Sequence, residues 1–180
     1  MRVFVYGSLM SDGWEQAFGG RLLGFATLRG YRRSFNKKST SNWGTREHPG
    51  PTLGLEPDTE GICVGALFDL PDERADAVMT FLGEREGPSF GFPVYLVTLG
   101  DRTPIPAITP TNDRNRSTYI GDLSLSERAV MARLAVGSSG TGVDYVRIVR
   151  RTLGILGLRD SEVEDFWGAI EESQKMDQGQ

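Results

Sequence analysis

The sequence predicts an α+β fold, and three observations carry that prediction. Segments rich in β-branched and aromatic residues recur from Val3 to Ile108. Within that stretch the apolar period changes to helical spacing only around Ala75–Leu82. From Ser124 onward, helix signals follow one another. Strands that come first and helices that gather late argue against an alternating βαβ sheet.

Val3-Phe4-Val5-Tyr6 is a first strand that runs into a loop at Gly7-Ser8. Trp14 to Phe18 fits a short helix ended by Gly19-Gly20. Arg21 to Arg33 is a second strand region, and the polar stretch Asn36 to Gly50 a long loop. Thr52–Leu55 and Ile62–Leu70 are two further strands, the latter apolar on both faces apart from Asp69.

Ala75, Val78, Met79 and Leu82 then fall on one face of a helix. Asp72 and Glu73 sit in its first turn, where the helix dipole favours carboxylates, and Gly83 can stop it. Phe92–Leu99 is a strand that Pro93 confines to an edge or entry position. Ile105–Ile108 is one more short strand. Ser124 or Ser126 caps a helix ending near Gly137. Helices over Val143–Leu156 and Ser161–Ile170 complete a single domain spanning 1–170. The polar tail, 171–180, is expected to fray.

The chain's 180 residues are enough to bury a core without disulfide or metal staples. Cys63 is the one cysteine and His48 the one histidine, so one chain cannot build a Cys/His zinc site or an internal disulfide. No apolar run approaches a membrane span, and the N-terminus lacks a signal-peptide core. A net charge of −4 makes nucleic acid a poor general partner. These features fit a cytoplasmic chain.

Several motifs suggest chemistry. His48 lies before Pro49 in a polar loop with no Gly-x-Ser-x-Gly elbow, which is poor support for a hydrolase triad. Cys63 sits in an apolar strand, as a core cysteine does. Gly137-Ser138-Ser139-Gly140-Thr141-Gly142 follows a helix and lacks a P-loop ending, so it fits a helix–helix connection. Arg29, Arg32, Arg33, Lys37 and Lys38 form the densest basic cluster. It is either a solvated strand edge or an Arg that grips a small anion. Glu84-Arg85-Glu86 stands where helix gives way to strand, and such corners are usually just solvated. Glu86 is followed by the apolar, Gly-rich Gly87–Phe92, surroundings that disfavour a carboxylate's charged form and raise its pKa.

In order along the chain, these segments resemble the γ-glutamylcyclotransferases, specifically the ChaC-like branch that acts on glutathione. Val3-Phe4-Val5-Tyr6-Gly7-Ser8-Leu9 is similar to the family's strand and Tyr-Gly-Ser-Leu substrate loop. Gly30-Tyr31-Arg32-Arg33-Ser34-Phe35 resembles its second motif, and Arg85-Glu86 followed by Phe90-Gly91-Phe92 its Arg-Glu segment. Tyr119-Ile120-Gly121 resembles its Tyr-x-Gly, and Asp144 to Asp160 its closing helices. Two departures stand out: Ser41-Asn42-Trp43 replaces the family's Asp-His-Arg, and Phe90 replaces the first Gly of Gly-Gly-aromatic.

The resemblance implies a small mixed β-barrel or curled sheet with helices packed outside, and no cofactor or metal. It implies release of 5-oxoproline from a γ-glutamyl amide, glutathione first, with Glu86 as general acid/base. Tyr6, Gly7, Ser8, Leu9, Arg33 and Tyr119 would contact the substrate. The altered Ser41–Trp43 segment leaves open another γ-glutamyl peptide, a γ-glutamyl amine, or a relative that binds without catalysis. Neither pattern nor resemblance fixes the oligomeric state.

Overall fold

The computed structural model describes residues 1–178. The chain folds as two compact units, each discontinuous in sequence. The first joins Met1–Arg32 to Pro57–Asp113, and the second joins Arg33–Glu56 to the residues from Arg114 onward.

The first unit holds a closed five-stranded barrel of strand order β1-β3-β2-β5-β6. These strands are β1 (Arg2–Val5), β2 (Arg21–Ser39), β3 (Gly50–Asp69), β5 (Val94–Leu99) and β6 (Ile105–Ile108). β1 runs antiparallel to β3, with Val3 opposite Phe68, and parallel to β6, with Val3 opposite Ile108. β5 runs antiparallel to both β2 and β6. The sheet is therefore mixed. Val3, Phe4, Val5, Cys63, Ala66, Leu67, Val97 and Ala107 are buried, which accounts for the β-branched and apolar runs. Each fully buried large apolar side chain contributes about 1.5–3 kcal/mol relative to exposure.

Helix α1 (Ala75–Glu86) buries Val78 and Leu82, the stripe expected from the sequence. It runs through Gly83, a glycine being costly within a helix but no obligatory stop. The turn comes at Gly87, whose φ of +79° favours a residue without Cβ and whose N–H bonds to Gly83 O at 2.9 Å. Pro93 divides the expected Phe92–Leu99 strand, leaving β4 (Phe90–Gly91) before it. β4 pairs with β7 (Thr111–Asn112), which sequence pattern alone does not reveal.

In the second unit the ends of β2 and β3 meet a helical layer. Both strands are longer than expected: Asn36–Ser39 is strand rather than loop, and Thr52–Leu55 and Ile62–Leu70 belong to one strand. Helices α2 (Leu125–Leu134), α3 (Gly142–Ile155) and α4 (Ser161–Gln178) follow. Ser124 and Glu127 form a capping box on α2, and Thr141 and Asp144 form one on α3. Between these helices, β8 (Val136–Gly137) and β9 (Gly140–Thr141) pair as a hairpin, so the Gly-rich stretch is a connection. Phe35 stacks on Phe166 of α4 at 4.3 Å and meets Tyr145 of α3 edge-on at 6.3 Å. Helix α4 continues to Gln178, so residues 171–178 of the expected tail are helical, and 179–180 lie outside the described residues. No helix among the described residues is long and apolar enough to cross a membrane.

Candidate active site

The sequence-predicted residues of the first unit gather around the loop after β1 and the end of α1. Tyr6 is buried and its hydroxyl donates to Pro110 O at 2.8 Å. Gly7 leads into a 3₁₀ turn over Ser8–Met10, with Met10 N–H donating to Gly7 O at 3.0 Å. Ser8 is exposed, whereas Leu9 is buried and its carbonyl accepts from Trp14 Nε1 at 3.1 Å. The Trp14 indole stacks on Phe81 of α1 at 5.6 Å and 10°. Five residues beyond Phe81, Glu86 is half-buried on the last turn of α1, while Glu84 is exposed. One aromatic contact thus connects the Tyr6–Leu9 loop to the helix that bears Glu86.

Tyr95 of β5 lies in the same unit, its ring 4.8 Å from that of Tyr31. Burial, and then its hydrogen bond with Tyr31, pushes the Tyr95 phenol up to about 12.

The second unit contains Tyr119 and Arg33, and a carboxylate that the sequence reading missed. Tyr119 donates its hydroxyl to both oxygens of Glu56 at 3.0 Å. Glu56 is buried and also accepts from Asn36 Nδ2 at 2.7 Å, and Arg114 Nη2 lies 3.3 Å from its Oε1. The Arg114 guanidinium lies over the Tyr119 ring at 5.3 Å. Burial raises the Tyr119 pKa above the ordinary phenol value, and the hydrogen bond to Glu56 adds to it. Tyr119 and Tyr95 therefore stay protonated at neutral pH, and neither serves as a base. A Cβ on Gly121 would lie 2.1 Å from the Tyr119 hydroxyl, which explains why glycine stands two residues after this tyrosine. The signal for Glu56 was a lone carboxylate that extends the apolar Thr52–Leu55 run.

Arg33 lies 2% exposed, and its Nη1 bonds Asp160 Oδ2 at 2.6 Å. The fold itself thus supplies a carboxylate for this guanidinium. Arg32 pairs with Asp58 at 3.5 Å, so these two cations of the basic cluster are engaged within the protein. Ser41 O and Asn42 O accept from Ser138 and Ser139 N–H at 2.9 and 2.8 Å, which fastens the Ser41–Trp43 segment to the β8–β9 hairpin. His48 is exposed and Cys63 is buried, as the sequence suggested. Among the described residues, no group of three or more His, Cys, Asp or Glu is placed to hold a metal ion.

Comparison with known proteins places this arrangement. The family model described as ChaC-like protein matches residues 1–173. The chain is 29% identical to gamma-glutamylcyclotransferase 2-3 of Arabidopsis thaliana, over 98% of this chain and 94% of that protein. It is 30% identical to the glutathione-specific gamma-glutamylcyclotransferase of Escherichia coli K12, over 91% of this chain and 70% of that protein. In fold it is similar to a yeast γ-glutamyl cyclotransferase specific to glutathione, with a TM-score of 0.82 at 16% identity, covering 96% of this chain and 98% of that one.

Proposed function

This chain belongs to the ChaC-like family, and we propose that it is a γ-glutamylcyclotransferase that converts glutathione to 5-oxoproline and Cys-Gly. The substrate carries its own nucleophile. Its α-amino group attacks its γ-carbonyl and closes a five-membered ring, so holding the reactive conformer supplies much of the rate. An α-ammonium has a reference pKa of about 7.7–8.0 and must lose a proton before it attacks.

Glu86 takes that proton. The amine lone pair then forms the ring C–N bond, and the carbonyl electrons move to oxygen. As the oxyanion collapses, the original amide C–N bond breaks and Glu86 gives its proton to the departing amine; ionised again, it takes the second proton from the ring nitrogen, which leaves the neutral lactam, and that proton ends on the released amine as an ammonium. A general acid/base of this kind contributes about 10²–10⁴-fold. Backbone N–H groups of the Tyr6-Gly7-Ser8-Leu9 loop hold the oxyanion or the glutamyl carboxylate. The Tyr119 hydroxyl donates to Glu56.

The observation that supports this reading most is the loop-to-helix connection through Trp14, which ties the Tyr6–Leu9 backbone to the helix bearing Glu86. A second reading, cyclisation of another γ-glutamyl peptide or a γ-glutamyl amine, is favoured by the Ser41-Asn42-Trp43 departure. The test is 5-oxoproline release from glutathione, γ-glutamyl dipeptides and a γ-glutamyl amine. Turnover of glutathione well above the others supports the first reading, and turnover of another substrate alone supports the second. No product from any of them contradicts both.

A further inference from the structure

We propose that Asp12 is a positioning residue for this reaction, tying the substrate loop to the helix end that carries Glu86; the proposal rests on the cyclotransferase reading. Asp12 makes an ion pair with Arg85, the residue before Glu86. It is the only charged residue between Tyr6 and Gly13, and Arg85 is the only cation in α1. The second Asp12 oxygen accepts from Trp14 N–H at 3.3 Å. Gly13, at φ +76°, makes the turn between those two residues.

The contacts close a circuit. Trp14 bonds the Leu9 carbonyl at 3.1 Å and stacks on Phe81 at 5.6 Å. The Arg85 guanidinium lies 6.0 Å from the centre of that Phe81 ring, one helical turn along the same face of α1. Asp12 then returns the path from Arg85 to Trp14. Without Asp12, this circuit joins the loop to α1 through Trp14 alone. Loop N–H groups and Glu86 must both hold their places as the ring closes, and a misplacement of about 1 Å can cost about 10²-fold in rate.

An isolated surface ion pair adds little to stability, and its loss alone is no reason for a change in kcat. Both partners here are about one-third exposed, 34% for Arg85 and 31% for Asp12, so removing either leaves the fold intact. A positioning role therefore separates from a merely structural one in kcat.

The experiment compares Asp12→Asn, Arg85→Gln and the double variant in 5-oxoproline release, alongside amide hydrogen exchange over residues 7–13 in the wild type and Asp12→Asn. Asp12→Asn is expected to lower kcat about 10-fold with KM within about 3-fold, and Asp12→Glu to recover part of the loss. The double variant should lose no more than the worse single one, because one bond is shared. Exchange over residues 7–13 should quicken in Asp12→Asn. Wild-type kcat in Asp12→Asn, or losses that multiply in the double variant, would overturn the proposal. Should the wild type release no 5-oxoproline, the functional reading fails and the exchange comparison decides alone: faster exchange upholds the attachment, and unchanged exchange overturns it.

Discussion

Two carboxylates, one in each unit, occupy opposite circumstances. Glu56 is buried and accepts from Asn36 and Tyr119, with Arg114 beside it. Its oxygens are thus engaged within the fold. Glu86 is half-buried on the last turn of α1. The comparison teaches that burial alone does not make a carboxylate a candidate base. Glu56 holds Tyr119 and Asn36, whereas Glu86 stands on the helix end tied to the Tyr6–Leu9 loop.

Substitutions in the second unit sharpen this contrast, because its charges support structure. The largest expected effect on stability is at Asp160, which pairs with buried Arg33 and also caps α4 by accepting from Val163 N–H at 3.3 Å. Asp160→Asn removes the carboxylate that pairs with a buried guanidinium and should cost about 3–5 kcal/mol in urea denaturation. A cost under about 1 kcal/mol, the level of a surface pair, would break the reading of Arg33 as structural. Glu56→Gln should cost about 1–3 kcal/mol by the same measurement, since charged hydrogen bonds are exchanged for neutral ones.

Gly121→Ala should cost about 1–3 kcal/mol, because the new methyl forces the Tyr119 ring away from its present place. The smallest effect is at Asp144, whose pKa lies below the ordinary carboxylate value because the Thr141 hydroxyl, and then its backbone N–H, bond to it. A depressed folded-state pKa gives stability that is present above the unfolded value, about 3.9, and lost as pH falls through the folded one. The Tm difference between wild type and Asp144→Asn should therefore be visible at pH 7 and close below about pH 4.

The candidate residues that the sequence singled out are those that stand contiguous in short motifs. Tyr6-Gly7-Ser8-Leu9, Arg85-Glu86 and Tyr119-Ile120-Gly121 are short motifs, each carried by one turn or one element end. Glu56 was not legible, because its partners Asn36 and Tyr119 lie 20 and 63 residues away and meet it only in the fold. The same holds for Asp12, whose partner Arg85 belongs to a distant helix. Among the strands, Pro57 to Gly61 looked like a break, yet β3 continues through it because pairing in the barrel overrides local preference. Gly83 failed as a helix stop for a related reason: the stripe that buries Leu82 holds the helix past it.

The assignment of the base is tested most directly by 5-oxoproline release from glutathione, with folded Glu86→Gln and Glu56→Gln measured side by side. The account predicts that Glu86→Gln loses at least about 10²-fold in kcat, while Glu56→Gln keeps kcat within about 10-fold of wild type. Near-normal kcat in Glu86→Gln, with the large loss falling on Glu56→Gln instead, would contradict it.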